Sequence, residues 1–361
     1  MSGRDLVVTG LGLVLPCGDG EAAARASLAS GKACFGPLPE GLGPGRGAAC
    51  TAFDPAGIIP PMQLRRLDRV SRFAWVATHR AFQEAALDPR TGAGDRLAVA
   101  VGTMTGGSEA SEAFMRPYLQ RGPEGASPML FPNSVANATS GHLALAFGLK
   151  GPSATFVDRE NAAFTALEQS ARWLRLGVAD AALVLGVDGL FPLLLEVCHG
   201  TRLLARQGAP ALGADRGFLP GEGAQAFVLE TRERAEARGA RPRARLLALA
   251  GRSAPEAAPA AQAAALAAAV AGLGGSAVDH RIGGASGSPR LDALEHALAA
   301  AHPAWPVAVH PKLLWGEFAG SGGQLLGAAL LHAAGRTLVT APASSGVQFA
   351  ALLEGVSLER S

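Results

Sequence analysis

The chain has 361 residues, of which 48% are hydrophobic, and its formal net charge is +2. This length and apolar content fit one large α/β domain or two closely packed halves. A near-neutral charge gives no indication of a nucleic-acid or membrane partner, and no apolar run is long enough to predict a membrane span. Four widely spaced cysteines favour a reduced cytoplasmic setting, and the eight histidines show no metal-ligand spacing.

Short β-branched runs alternate with Ala- and Leu-rich helical runs along the chain. This alternation predicts a largely parallel sheet covered by helices. The predicted strands are DLVVTGLG (5–12), RLAVAVGT (96–103), SATFV (153–157), AALVLGV (181–187), AFVLE (226–230), RARLLALA (243–250), PVAVH (306–310) and GVQFAALLE (346–354). The predicted helices cover 68–86, 140–148, 161–177, 257–272 and 291–301. A charged, Gly-interrupted stretch at 231–241 indicates a seam, which divides the chain into 1–235 and 236–361.

The first predicted strand carries two glycines, Gly10 and Gly12, in VTGLGLVL. This spacing is similar to the start of a dinucleotide-binding loop. The third glycine is absent, and no acidic residue follows at the end of a second strand at the right distance. The sequence therefore predicts neither a cofactor site nor a metal site.

The segment GPSATFVDRENAAFTALEQSARWLRLGVAD (151–180) predicts a short strand, a polar break and then a helix. An elbow of this kind often presents a nucleophile at a helix N-terminus, where the helix dipole lowers the pKa of a thiol. Here the elbow holds Glu160, with no Cys or Ser beside it. A carboxylate cannot hold a useful acyl group, because the resulting anhydride would hydrolyse.

Several stretches, in the same order over residues 5–230, resemble the β-ketoacyl synthases of fatty acid and polyketide assembly. They include VAVGTMTGG, PNSVANATSGHLALAFGLKGPSATF and ADRGFLPGEGAQAFVLE. The C-terminal third resembles the family more weakly and looks shortened. The resemblance implies an α/β thiolase fold, with two pseudo-equivalent βαβαβ halves in a five-layer α-β-α-β-α stack, and a dimer. The two halves would correspond to 1–235 and 236–361.

The same resemblance places the family's catalytic Cys-His-His set on Glu160, Gly284 and Glu317. Asp292 anchors the alignment of Gly284, and Lys312 precedes Glu317 by five residues, as a lysine precedes the second histidine in the family. In an active synthase these histidines donate hydrogen bonds to the malonyl thioester. Glycine has no side chain to donate, and an ionised Glu only accepts. The resemblance thus implies that no catalytic residue is intact.

The surroundings of these positions are also implied by the resemblance. Glu160 and Glu317 would share one partly dry pocket, where Arg159 and Lys312 are the available cations and Lys312 is the expected partner of Glu317. The loop that helps to form the family's oxyanion hole reads SSGV here, with Ser345 in place of a gating Phe.

A scaffold kept without its chemistry indicates a partner. The chain resembles the chain length factors, or ketosynthase β-subunits, of type II polyketide systems, although these usually have Gln where this chain has Glu160. The resemblance implies a non-condensing subunit that pairs with an active ketosynthase α-subunit, served by an acyl carrier protein. Two alternatives stay open: a decarboxylase or hydrolase of malonyl- or acyl-carrier-protein, and a homodimeric pseudoenzyme.

Two further features bear on such a pairing. The strand made of Ser153, Ala154, Thr155, Phe156 and Val157 is expected to be a sheet edge that pairs antiparallel with its counterpart in the dimer. The segment 103–133 is expected to be rich in loops and to wall the partner's acyl tunnel, although core packing is the alternative for half of its bulky residues. Those bulky residues are Met104, Phe114, Met115, Tyr118, Met129 and Phe131, with Phe114 and Tyr118 as candidate chain-length gates.

Overall fold

The computed structural model describes residues 5–205, 210–213, 217–254, 258–275, 277–332 and 334–356. Within these ranges the strands are β1 (Leu6–Leu15), β2 (Gly18–Asp19), β3 (Gly36–Pro37), β4 (Arg46–Gly47), β5 (Leu97–Thr103), β6 (Ser153–Val157), β7 (Ala181–Asp188), β8 (Gly223–Thr231), β9 (Ala244–Ser253), β10 (His280–Ile282), β11 (Gly335–Ala341) and β12 (Val347–Gly355). The α-helices are α1 (Gly20–Ser30), α2 (Pro61–Leu64), α3 (Arg69–Glu84), α4 (Ser108–Arg121), α5 (Ala138–Phe147), α6 (Ala162–Arg175), α7 (Pro192–Gly200), α8 (Arg232–Ala237), α9 (Pro259–Ala271), α10 (Pro289–Ala301), α11 (Lys312–Trp315) and α12 (Gly323–Leu330). Short 3-10 turns cover Pro89–Thr91, Ala93–Arg96, Gly122–Gly125, Phe131–Asn133 and Arg159–Asn161.

Ten strands form one mixed sheet in the order β10-β11-β12-β9-β1-β8-β7-β5-β6, with β2 paired to β1. The first half of the sheet is β6-β5-β7-β8-β1. If its five strands are numbered 1 to 5 along the chain, their order across the sheet is 3-2-4-5-1. The second half repeats this order, except that its third strand is reduced to one bridge between Ile282 and Val309. The halves join where β1 pairs antiparallel with β9. The predicted boundary at 235/236 falls inside α8 and stays a prediction.

Helices cover the two half-sheets in layers. One apolar cluster packs α3 against one face of β5, β7 and β8, and a second packs α6 and α12 between the two half-sheets. A further cluster packs α9 and α10 against the outer face of β11 and β12. The sequence of layers is therefore helix, sheet, helix, sheet, helix, as the thiolase fold requires. The predicted thiolase fold is confirmed. The expectation of a largely parallel sheet is wrong: among the described strand pairs of this sheet only β5–β6, β5–β7 and β10–β11 are parallel, because β1, β8, β9 and β12 pair antiparallel with their neighbours.

The two glycines of the first strand serve helix packing. A Cβ at Gly10 would lie 2.1 Å from the carbonyl oxygen of Ala81, and one at Gly12 would lie 1.8 Å from that of Ala77. Only glycine allows β1 to lie this close to α3. The pattern that is similar to a dinucleotide loop thus has a structural explanation.

The structure corrects the predicted elements of the C-terminal third. The run PVAVH, predicted as a strand, makes only a single bridge, between Val309 and Ile282. Pro306 opens this run without an amide donor, and the side chain of Val307 is 93% exposed, so the run has no covered apolar face. The sequence analysis did not predict β10, β11 or α12. Among the described residues, no helix has both the length and the apolar content needed to cross a bilayer.

Candidate functional site

The elbow joins the edge strand β6 to the buried helix α6 through the 3-10 turn Arg159–Asn161. Arg159 has a φ of +44°, which is strained for a residue with a side chain. Asn161 is fully buried, and its amide donates to the carbonyl oxygens of Ala341 (2.7 Å) and Val347 (2.9 Å). These bonds fix the elbow against the loop between β11 and β12.

The carboxylate of Glu160 is held by that same loop. It accepts hydrogen bonds from the backbone N–H of Ser344 (3.2 Å) and from the Ser344 hydroxyl (2.7 Å), and Glu160 is only 7% exposed. The guanidinium of Arg159 donates to the Ser344 hydroxyl oxygen at 3.1 Å. Ser344 opens the SSGV run that the resemblance equates with the oxyanion loop. The carboxylate of Glu160 therefore engages two hydrogen-bond donors of this loop, the N–H and the hydroxyl of Ser344.

Gly284 lies in the loop after β10, in a space that is already filled. A Cβ at this position would lie 2.5 Å from Cδ of Pro342, so no side chain fits unless Pro342 moves. The backbone N–H of Gly284 donates to the carboxylate of Glu295 at 2.9 Å, and the hydroxyl of Thr340 donates to the same carboxylate at 2.6 Å. The loop is thus fixed by Glu295 and excludes a histidine side chain.

Glu317 forms a buried ion pair with Lys312. The Lys312 ammonium and the Glu317 carboxylate are 2.7 Å apart, and both side chains are buried. The predicted partner of Glu317 is therefore the one that the structure shows. Glu317 and Glu160 have different partners, Lys312 and Ser344, and the pocket that the two carboxylates are expected to share stays a prediction. The loop after Glu317 is strained, with φ values of +70° at Phe318 and +42° at Ser321.

Asp292, predicted as a supporting residue, organises the loop that contains Gly284. Its carboxylate is buried and accepts backbone N–H bonds from Ser286 (3.0 Å), Gly287 (3.1 Å) and Gly213 (3.1 Å). A carboxylate that accepts three backbone donors fixes the conformation of both segments. Asp292 therefore supports the loop and makes no contact with Glu160.

Sequence reasoning did not identify Asp188, the last residue of β7, as part of this region. Its buried carboxylate accepts from the Thr103 hydroxyl (2.9 Å), the Met104 N–H (2.9 Å), the Thr105 N–H and hydroxyl (both 3.0 Å), and the Ser321 hydroxyl. Burial raises the pKa of Asp188 to about 6, against these hydrogen bonds. The only sequence signal was an acidic residue at the end of an otherwise apolar strand.

The segment 103–133 is mostly helical, which corrects the expectation of a loop-rich segment. Its central part forms α4 with Pro117 inside the helix. Met104 packs against an interior cluster around Leu190 and Phe318. The rings of Phe114 and Phe131 are 5.9 Å apart.

Phe114 is half-buried, and the remaining bulky residues of this segment are exposed. Phe131 is 61% exposed and Met129 is 69% exposed. Other exposed apolar side chains stand on α4, α5 and β6 and before α5, and these elements contact one another directly or through the 3-10 turn Phe131–Asn133. All of these residues together are called the exposed apolar face. Its members are Met115, Tyr118, Leu119, Met129, Phe131, Val135, Leu145 and Val157. The role of these residues as tunnel walls stays a prediction.

β6 spans Ser153–Val157, as predicted, and it is the last strand on its side of the sheet. Among the described strands only β5 pairs with it, in parallel, and no described strand pairs with its other edge. The exposed apolar face lies beside this edge. Pairing of the edge with a second chain stays a prediction.

Glu109, in the first turn of α4, provides a test of the electrostatics near this face. Burial, and then the nearby Asp68 carboxylate, raise the pKa of Glu109 from 4.5 to about 7. Because the pKa is higher in the folded state, the ionised carboxylate opposes folding above about pH 7, and this cost disappears as the pH falls through 4.5. We therefore expect Glu109→Gln to raise the free energy of unfolding by roughly 1–3 kcal/mol at about pH 8.

Urea unfolding across this pH range measures the effect. The gap between Glu109→Gln and the wild type should shrink as the pH falls. The control is Glu112→Gln on the same helix, where the carboxylate accepts from the Leu193 N–H (3.0 Å) and pairs with Arg116 (2.6 Å), so its loss should destabilise. A gap for Glu109→Gln that does not change with pH would contradict the prediction.

The described part of the chain holds no group of three or more His, Cys, Asp or Glu side chains that could bind a metal ion. The site therefore consists of two hydrogen-bonded carboxylates, a glycine without space for a side chain, and the buried Asp188, which binds the loop after Glu317 through Ser321. Chemically, such a site can accept hydrogen bonds, but it presents no nucleophile at the elbow.

Comparisons with known proteins agree with this fold. The 3-oxoacyl-[acyl-carrier-protein] synthase 2 of Synechocystis sp. is 30% identical over 250 residues, which cover 66% of this chain and 60% of that protein. The protein of the same name from Coxiella burnetii is 27% identical over 315 residues, which cover 82% of this chain and 76% of that protein. The matched part thus spans less than two thirds of the Synechocystis protein.

Solved structures show the same architecture over nearly the whole chain. The ishigamide ketosynthase/chain length factor superposes with a TM-score of 0.86 at 22% identity, covering 99% of this chain and 100% of that one. A β-ketoacyl synthase from Burkholderia phymatum gives a TM-score of 0.85 at 20% identity, with 98% and 100% covered. The AntDE:AntF complex, a type II PKS acyl-carrier protein with its ketosynthase bound to the hexaketide, gives 0.83 at 19% identity, with 99% and 100% covered.

The family assignment follows from the N-terminal part. A sequence profile described as β-ketoacyl synthase, N-terminal domain, matches residues 3–235, which is more than half of the chain. This region contains β1, the elbow and α6, and also β7 and β8. The chain belongs to the β-ketoacyl synthase family.

Proposed function

We propose that this protein is a non-condensing, chain-length-factor-like subunit that pairs with an active ketosynthase and shapes the tunnel for a growing acyl chain. The observation that carries this proposal is the position of Glu160. Its carboxylate stands at the elbow, where an active synthase has its thiol, and is bound by the Ser344 N–H and hydroxyl. The elbow is thus a closed hydrogen-bonded unit.

The two other altered positions support the same conclusion. Condensation needs two hydrogen-bond donors that act on the thioester carbonyl of the extender unit. Gly284 has no side chain and no room for one beside Pro342, and Glu317 is engaged by Lys312. The site therefore lacks both its nucleophile and its donors.

The surface beside β6 supports the proposed pairing. A free sheet edge next to an exposed apolar face is a liability for an isolated chain, and pairing with a second subunit removes it. Two of the superposed structures, a ketosynthase/chain length factor and a ketosynthase with its acyl-carrier protein, suggest the partners. We propose an active ketosynthase as the second subunit and an acyl carrier protein as the carrier of the chain.

Decarboxylation of a malonyl group is the weaker alternative. A malonyl carboxylate at the elbow would approach the negative charge of Glu160. Of the two available cations, Lys312 is paired with Glu317 and Arg159 donates to the Ser344 hydroxyl. Like charges in a partly dry pocket repel. The arrangement therefore favours a structural role for Glu160.

Co-expression with a candidate ketosynthase α-subunit and its carrier protein tests the proposal. We expect a heterodimer in size-exclusion chromatography, and elongation of malonyl units only when the α-subunit is present. The chain alone, and its Glu160→Cys variant alone, should give no condensation product by mass spectrometry, because the donors are still missing. Elongation by the wild-type chain alone would overturn the proposal.

Helix α4 gives a prediction about product length. Phe114→Ala or Tyr118→Ala should open space beside the growing chain that the surroundings only partly refill, and so should lengthen the product of the heterodimer by at least one extender unit. The measurement is the mass of the released chain. Gln120→Ala on the same helix is the control, because Gln120 is exposed and lies outside the apolar face. Unchanged product length in variants that still pair and still make product would contradict the tunnel role.

A further inference from the structure

A surface cavity beside α3 has no role in the candidate functional site. Its volume is about 500 Å³, and it is lined by α3, the segment 86–90 and the end of α5. Helix α3 packs on one face of the sheet and α6, which follows the elbow, packs on the other. The cavity is therefore separate from Glu160, and its volume falls in the range of about 300–1,000 Å³ that is usual for small-molecule sites.

Three aromatic rings form the buried side of this cavity. Trp75, Phe82 and Phe147 all line it. The ring centroids of Trp75 and Phe147 are 5.6 Å apart, and those of Phe82 and Phe147 are 5.4 Å apart. Trp75 is 7% exposed and Phe82 is 4% exposed, so both rings are fixed by the core around them. Rings that are already fixed can pack against a flat aromatic ligand without a further ordering cost.

Three polar groups follow one face of α3 along the cavity. Trp75, His79 and Gln83 are spaced four residues apart, so their side chains lie on the same side of the helix, and all three line the cavity. Among the described residues, the indole N–H, the imidazole and the amide have no hydrogen-bond partner. A buried indole N–H usually has one. These three groups are therefore available to a ligand.

The charges around the cavity favour a neutral ligand. Its charged lining residues are Asp88 and Arg90, which have opposite signs. The Asp88 carboxylate accepts from the backbone N–H of Arg90 at 3.0 Å, and the Arg90 guanidinium donates to the carbonyl oxygen of Ala146 at 2.5 Å. Burial, and then the nearby Arg80, lower the pKa of His79, so its ring is neutral near pH 7.

The turn after α3 is held in a fixed conformation. Ala86, which lines the cavity, has a φ of +47°, which is strained for a residue with a side chain. The guanidinium of Arg238 donates to the carbonyl oxygens of Ala85 (2.7 Å) and Ala86 (3.4 Å) and so restrains this turn. Strained residues that their surroundings hold in place occur at ligand clamps. We therefore expect the cavity to exist before a ligand binds.

We propose that this cavity binds a neutral, planar aromatic molecule of two or three fused rings that carries hydroxyl or carbonyl oxygens on one edge. The rings pack against Trp75 and Phe147, and the oxygens meet the polar groups of α3. The indole N–H needs an acceptor, whereas the imidazole of His79 and the amide of Gln83 can each donate and accept. From residue 75 to residue 83 the helix rises by about 12 Å, which is the scale of two or three fused rings.

Calorimetric titration of the full chain with 2,7-dihydroxynaphthalene tests the proposal. This probe is planar and neutral near pH 7, and its two hydroxyls lie on one edge. We expect one molecule to bind per chain, with a Kd on the order of 0.1 mM or lower. Two compounds serve as controls: naphthalene-2,7-disulfonate keeps the rings but carries two charges, and cyclohexane-1,4-dimethanol keeps two hydroxyls without an aromatic ring. Each should bind at least about tenfold more weakly.

Matched variants locate the binding site. Gln83→Ala removes the exposed amide, and Trp75→Phe removes the indole N–H but keeps an aromatic ring. Each should weaken binding of the dihydroxynaphthalene by about 5- to 10-fold, which corresponds to the loss of one hydrogen bond. Gln120→Ala on α4 should bind like the wild type, because Gln120 is exposed and does not line the cavity. Thermal unfolding checks that each variant is folded.

Several results would overturn the proposal. These are the absence of saturable binding, an equal affinity for either control compound, or wild-type affinity in Gln83→Ala or Trp75→Phe. Binding that disappears at concentrations where the chain dimerises would also overturn it, because a second copy would then cover the cavity. The test needs no enzymatic activity, so its outcome is independent of the proposed function.

Discussion

Replacing Lys312 by Met should lower the free energy of unfolding by about 3–5 kcal/mol near pH 7. The two side chains form a buried ion pair at 2.7 Å, so the substitution leaves the Glu317 carboxylate without its cation in a dry environment. Urea unfolding at one protein concentration, with an unchanged m value, is the measurement.

A double variant separates the ion pair from the shape of the site. Lys312→Met combined with Glu317→Leu removes both charges and keeps similar side-chain volume, so it should stay within about 1–2 kcal/mol of the wild type. This result would show that each of the two charged side chains stabilises the fold only by neutralising the other inside the protein. An unchanged urea midpoint for Lys312→Met alone would contradict the prediction, because it would mean that the ion pair is exposed to water in solution.

Replacing Asp188 by Ala should cost a similar amount, about 3–5 kcal/mol, for a different reason. Five donors would lose one acceptor, among them the N–H groups of Met104 and Thr105 and the hydroxyl of Ser321. Ser321 keeps a left-handed φ of +42°, and without the carboxylate this strain has one fewer restraint. Thermal and urea unfolding both measure the loss.

The conservative variant is the control for this prediction. Asp188→Asn keeps an oxygen that can accept from Thr103, Met104 and Thr105, and its amide can donate to the Ser321 hydroxyl. We therefore expect a loss of about 1–2 kcal/mol, less than half of that for alanine. Equal losses for Asn and Ala would show that charge, rather than the number of accepted bonds, fixes the two loops.

The sequence predicted local elements well where one pattern dominated. β6 has the predicted bounds because a short β-branched run follows Gly-Pro and ends at a polar break. Helix α4 was missed because Pro117 and flanking glycines are typical of loops. The helix forms because contacts such as that between Phe114 and Phe131 outweigh the local preference. The strand predicted at 306–310 does not form although the local pattern favours it, because Val307 is exposed and its burial contributes nothing to a strand.

The resemblance assigns Glu160, Gly284 and Glu317 to the family's catalytic positions, and this assignment stays a prediction. The short spacing to Lys312 indicated the partner of Glu317, but nothing in the sequence indicated the partner of Glu160. The contact between Glu160 and Ser344 spans 184 residues of chain and leaves no local pattern. Asp188 was missed because a single acidic residue at the end of a strand has many ordinary explanations.

The position of β1 in the middle of the sheet has a consequence for synthesis on the ribosome. All ten residues of this strand are buried, between β8 and β9, whose residues lie beyond position 222. At about 5–20 residues per second, translation leaves the nascent strand without either neighbour for roughly 10–45 s. During that interval an apolar segment is open to misassembly, and we expect the emerging chain to depend on chaperones until β9 has left the exit tunnel.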